Sequence, residues 1–165
     1  MLVKELVEEI EIEFEYLETI LHELETLLKK PFEYEPSLVE ITGAGGLLHN
    51  FYNGIENIFK RILKFHKINQ EESKNWHKEL LKKFYDKENN FAFLDISIYD
   101  NLLEILKFRH LFIHGYGFFL QWELLKPLIK KALESYPKLK NLCESFLRNL
   151  ENQSDKDNNC IGNSS

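Results

Sequence analysis

The chain is poor in the residues that build loops, staples and clusters. It has two cysteines, Cys143 and Cys160, too few for a disulfide framework and unaccompanied by any paired Cys or His spacing that suits zinc. Seven glycines and four prolines in 165 residues leave few turns, which excludes a many-stranded β fold and favours long elements. No stretch approaches the ~18 uncharged apolar residues of a membrane span. The segment from Met1 to Glu15 is crowded with glutamate and lacks a cationic or apolar leader region, so no signal peptide and no membrane contact are expected. HExxH, CxxC and a glycine-rich phosphate loop followed by lysine are all missing. The GAGG run at 43–46 reads as a loop before a helix. No metal and no cofactor is expected, and a reducing, cytoplasmic setting is the simplest reading.

What is present is a soluble globular balance of 44% hydrophobic and 29% charged residues, with 13 Phe, 7 Tyr and 2 Trp to build a core or interface. The net charge of −6 argues against nonspecific coating of nucleic acid. The charge is uneven, however. Residues 1–29 carry nine glutamates against Lys4 and Lys29, whereas residues 57–84 carry eight cations against Glu71, Glu72 and Glu79. One segment is therefore suited to phosphates, or else both are simply solvated helix faces.

Residues 10–16, IEIEFEY, alternate like a half-buried strand, but the longer window overrides them. Leu6, Ile10, Phe14, Leu17, Leu21, Leu24 and Leu28 recur at helical spacing and predict a helix over 3–29, closed by Pro31 and Pro36. A second helix is expected after GAGG, with Leu48, Phe51, Tyr52, Ile55, Ile58, Phe59, Ile62 and Leu63 inward. Gly54 lies inside it, marking close approach of another backbone or a ligand. A third is expected over 71–85, and a fourth after a cap at Asp95 or Ser97, ending near Gly115 and Gly117. A fifth is expected over 121–135 and a sixth over 138–150. The polar residues 151–165 show no periodicity and are expected to be disordered. The expectation is an all-α bundle of five to six antiparallel helices with one core, occupying 1–150.

The densest chemistry lies in FRHLFIHGYG, residues 108–117, which places Arg109, His110, His114 and Tyr116 within eight positions. Histidine titrates near cellular pH and suits proton transfer, and arginine's planar fork suits a phosphate. At about 100° per residue, Arg109 and His114 stand about 140° apart on an ideal helix, which converges poorly. Either the helix distorts near Gly115 or a second protomer completes the site. A dipole-complementing helix end is the plain alternative.

The run Arg-x-x-x-x-His-x-Tyr at 109–116 resembles the signature of HEPN domains of the HepT kind, with His110 in the polar position. The segments LHNFYNGIENIFKRI (48–62), WHKELL (76–81) and LKFRH (106–110) resemble that family in order and spacing over about residues 40–130. The resemblance implies a HEPN-type helical fold and a homodimeric, metal-independent RNA endonuclease leaving a 2′,3′-cyclic phosphate. Arg109 would hold the phosphate and His114 would serve as general base or acid, with transfer or messenger RNA as substrate. His110, Glu56, His49 and Tyr52 fall at supporting or RNA-binding positions, Glu56 as a residue that could orient a histidine or arginine. The resemblance further implies the toxin of a toxin–antitoxin pair, neutralised by an MntA-type nucleotidyltransferase that adenylylates Tyr116. The alternative is a non-catalytic HEPN module that binds nucleotide or RNA or regulates a partner. His22, His66 and His77 have no partners at metal-ligand spacing.

Overall fold

The computed structural model describes residues 2–69, 73–115 and 120–162, with only the helical backbone described from 157 onward. Among the described residues it contains five helices and no strand: α1 (Val3–Leu28), α2 (Leu38–Phe65), α3 (Trp76–Tyr85), α4 (Ile96–Ile113) and α5 (Trp122–Gly162). The expected all-α bundle is therefore what the chain forms. None of these helices is long and apolar enough to cross a membrane.

In α1 the 3.6-residue period wins over the local alternation. Leu6, Ile10, Phe14, Leu17, Leu21 and Leu24 are buried, while Ile12 and Tyr16 of the strand-like run face solvent. Packing on two helices at once selects this face, because α1 lies against both α2 and α5. Arg61 of α2 fixes the pairing by reaching across to Glu9 (2.6 Å) and the nearly buried Glu13 (2.9 Å).

The second helix starts earlier than the sequence suggests, and GAGG lies inside it rather than before it. Ser37 and Glu40 form a reciprocal cap: the Ser37 Oγ accepts from the Glu40 amide at 3.2 Å, and the Glu40 carboxylate accepts from the Ser37 amide at 2.8 Å. Such a cap supplies a start that outweighs the poor helix propensity of three glycines. Gly45 is needed where it stands, since a Cβ there would meet the Leu120 side chain at 2.7 Å and the Phe112 ring at 3.0 Å. Gly54 marks a close approach, as expected, but of a side chain: a Cβ would meet Leu17 Cδ2 at 2.6 Å.

The third helix begins at Trp76, not 71, and the fourth is capped by Asp95, whose carboxylate accepts from the Ile98 amide at 2.9 Å. The expected break between a fifth and a sixth helix does not occur. Pro137 sits inside α5, where it removes one backbone bond at a cost of about 3 kcal/mol. The buried residues Leu125, Ile129, Ala132, Tyr136, Leu139, Cys143 and Leu147 keep helical spacing straight across it. One continuous apolar face thus offsets the lost bond. Cys143 on this face is a core thiol, pushed up to about 12 chiefly by burial and therefore unreactive. Residues 151–162, where disorder is the sequence expectation, continue the helical backbone.

Two histidines sit against the core with one ring nitrogen each buried and unpartnered, His49 Nδ1 and His66 Nε2. Burial holds both imidazoles below their ordinary value of 6.5, and the charge of Arg109 adds to the effect at His49. The unfolded chain binds these protons near pH 6.5 while the folded chain does not. Their contribution is therefore complete above that pH and is lost as pH falls below it. Urea midpoints should drop between about pH 7.5 and about pH 5.5, ahead of any carboxylate titration, and His66→Phe should flatten the drop. The glycines give a second expectation. Gly43 has open space around its Cβ direction, so Gly43→Ala should stabilise by up to about 1 kcal/mol. Gly54→Ala should destabilise, and a double-mutant cycle with Leu17→Ala should show coupling of roughly 1 kcal/mol.

Candidate functional site

The site grows from a line of polar residues on the otherwise apolar face of α2. His49, Asn53 and Glu56 follow one another at spacings of four and three, so they share one side of the helix. That side faces α3 and α4. Glu56 is 3% exposed, and a buried carboxylate needs a partner. The partner is His77 of α3, whose Nδ1 lies 2.6 Å from Glu56 Oε1. On its other edge His77 meets Arg109 of α4, with Nε2 3.3 Å from Nη1. Arg109 also donates through Nε to Asn53 Oδ1 at 2.9 Å, and Asn53 Nδ2 lies 2.9 Å from His49 Nε2.

The proton positions in this chain follow from the inventory of donors and acceptors. A guanidinium only donates, so the nitrogen of His77 that faces it must offer a lone pair. His77 then carries its proton on Nδ1 and donates it to Glu56. Asn53 accepts from Arg109 with its oxygen, so its amide nitrogen donates to His49 Nε2. That leaves the His49 proton on Nδ1, the buried nitrogen with no partner. The network thus runs Glu56–His77–Arg109–Asn53–His49, with an acceptor-only carboxylate at one end of His77 and a donor-only guanidinium at the other.

Arg109 differs in this respect from Arg61. Arg61 spends its charge on two carboxylates, Glu9 and Glu13. Arg109 is held by an imidazole and an amide, neither of them anionic. Two of its five N–H groups are engaged, and its charge is left for an incoming anion. It opens on a groove of about 450 Å³ between α3 and α4. Lys74, Lys78, Lys107, His77 and His110 line the groove around it, over a floor of Leu103, Leu106 and Leu111. Among the described residues no carboxylate lines it and none of the three lysines pairs with one.

His114 lies where α4 stops, as its C-cap, and Gly115 follows with φ +84°. Its Nδ1 donates to the His110 carbonyl oxygen at 2.7 Å, which leaves the lone pair of the neutral ring on the exposed Nε2. The His114 ring packs on that of His110, with centroids 4.1 Å apart. Arg109 and His114 therefore do not touch within one chain. They are linked through His110, which lines the groove on one side and stacks on His114 on the other.

The remaining sequence candidates are placed as follows. Glu56 lies behind the groove as a support. His49 is reached only through Asn53 and lies against Phe112, with centroids 5.8 Å apart. Tyr52 is a core residue, 1% exposed, whose hydroxyl has no partner; burial first, and then the Glu56 charge, raise it well above the ordinary phenol value. Neither His49 nor Tyr52 lines the groove. Tyr116 lies outside the described residues. Sequence reasoning passed over Asn53 and His77. Both were open to notice, Asn53 as a polar residue between His49 and Glu56 on a core-facing stripe, and His77 as the residue beside Trp76 in the family-like WHKELL run.

No curated protein and no solved structure matches the chain significantly. A family model does, described as HepT-like protein, over residues 43–150. That span takes in every residue of the network and both histidines at the end of α4, and it covers more than half of the chain. The chain belongs to the HepT-like protein family.

Proposed function

We propose that the protein is a homodimeric, metal-independent RNA endonuclease, the toxin of a toxin–antitoxin pair. The observation that carries this reading is Arg109, a charged guanidinium held by two neutral partners and open to a lysine-lined groove that His110 also lines, with His114 stacked on His110. Cleavage begins when an imidazole takes the proton of a ribose 2′-OH. The 2′-oxygen attacks phosphorus, the bond to the 5′-oxygen breaks, and a second acid protonates that leaving oxygen. The products are a 2′,3′-cyclic phosphate and a free 5′-OH. His114, with its exposed Nε2, is the base or acid, and Arg109 stabilises the charge on the phosphorane oxygens. That no bond joins the two groups directly among the described residues of one chain supports a dimer in which each protomer's arginine faces its partner's histidine across a shared groove.

Regulation follows from the same charge. An MntA-type nucleotidyltransferase that adds AMP to Tyr116 would set a negative group two positions along the chain from His114 and repel RNA.

The purified protein should cut end-labelled RNA in EDTA and leave 2′,3′-cyclic termini detectable by mass spectrometry. Arg109→Ala should lower kcat/KM by roughly 10²–10³-fold, and His114→Ala by roughly 10²–10⁴-fold. Intact RNA with the wild-type dimer, or unchanged cleavage by both variants, would sink the reading in favour of a binding module. Incubation with ATP and the partner nucleotidyltransferase should add the mass of one AMP per modified chain and stop cleavage. Tyr116→Phe should take up no AMP and stay active in its presence.

A further inference from the structure

His77 has two bonds to two very different groups. Its Nδ1 holds the buried carboxylate of Glu56, and its Nε2 faces the guanidinium of Arg109. The two bonds are not independent. A carboxylate can accept only, so it binds whichever imidazole nitrogen carries the proton, and the other nitrogen is left as an acceptor. Glu56 therefore sets the face that His77 presents to Arg109. With Asn53 taking Nε, the guanidinium plane is pinned on two adjacent edges. Both N–H groups of Nη2 are left over to meet the oxygens of a phosphate.

We infer that His77 and Glu56 are positioning residues for Arg109: Glu56 fixes the His77 tautomer, and His77 fixes the guanidinium that receives the scissile phosphate. The inference rests on the ribonuclease reading for its consequence in rate, though not for its consequence in geometry. His77 has no other acceptor or donor role among the described residues that would demand this ring orientation. Its stacking on Trp76, with centroids 3.6 Å apart, holds the ring plane but does not choose between its nitrogens. Glu56 does.

Two amides separate this role from a merely structural one. An asparagine amide reaches the place of Nδ1, and a glutamine amide reaches the place of Nε2. His77→Asn therefore keeps a donor for Glu56 and removes the partner of Arg109. His77→Gln does the reverse. If His77 served only to neutralise a buried carboxylate, His77→Asn would be the harmless variant. The positioning role predicts the opposite order. His77→Asn should fold with nearly wild-type stability yet lose roughly ten- to a hundredfold in kcat with little change in KM. His77→Gln should keep kcat within a few-fold, and where its orphaned carboxylate impairs folding, Glu56→Gln/His77→Gln should restore the fold and the rate together. Wild-type kcat in His77→Asn, or equal losses in both single variants, would overturn the inference.

A second readout does not need catalysis. In ¹⁵N spectra the Arg109 side-chain Nη resonances should be resolved by slow rotation in the wild type and in His77→Gln, and averaged in His77→Asn. Should the wild type cut no RNA, this arm still decides the positioning role, and resolved resonances in His77→Asn would refute it.

Discussion

A carboxylate that is 97% covered cannot be left to itself, and Glu56 is the point from which the rest of the site is hung. Its single short bond to His77 draws α3 onto α2 and orients one imidazole. That imidazole and Asn53 then receive an arginine from α4. Removing His77 leaves the buried Glu56 carboxylate without its complement, so this bond is the one the site can least lose. The neutral character of the two groups that touch Arg109 is the electrostatic core of the arrangement. They supply geometry without cancelling charge, whereas Arg61, a few turns further along α2, is neutralised by two glutamates and serves to fasten helices.

The same division of labour runs through the fold. Helices α1 and α5 bring long apolar faces and close the core around α2, and their interactions are those of packing: Tyr136 against Phe14, Lys140 and Tyr136 on Glu18. Helices α3 and α4 are shorter and carry the groove. Gly45 lets Phe112 and Leu120 approach α2 closely, which sets the end of α4 and with it the turn that bears His114. The family match begins at Gly43, so α1 lies outside it, consistent with a helix that contributes packing and none of the chemistry.

Much of this was legible in the residues. The apolar stripe of α1 was long enough to overrule seven alternating residues, and the Arg109–His114 spacing marked the place of the site. What failed did so where a local signal met a stronger tertiary one. The GAGG run reads as a loop by propensity, but the cap at Ser37 lies six residues upstream, and one of the glycines, Gly45, stands at a close approach of Phe112 and Leu120. Pro137 reads as a stop, yet the core-facing spacing of Tyr136, Leu139 and Cys143 continues past it. The roles of His77 and Asn53 toward Arg109 were harder to read because the arginine lies 32 and 56 positions away from them in the chain. A search for metal-ligand spacing could not find a histidine whose partners are a carboxylate and a guanidinium.

The assembly of the polar network from three helices has a bearing on how the protein is made. Asn53 and Glu56 leave the ribosome first, His77 some twenty residues later, and Arg109 and His114 only when more than a hundred residues have emerged. The face of α5 that closes the core comes last of all. His77 and Asn53 thus precede the arginine they hold, while the core beneath them is completed only when α5 docks. The order of the helices therefore places completion of the fold after every residue of the site has emerged.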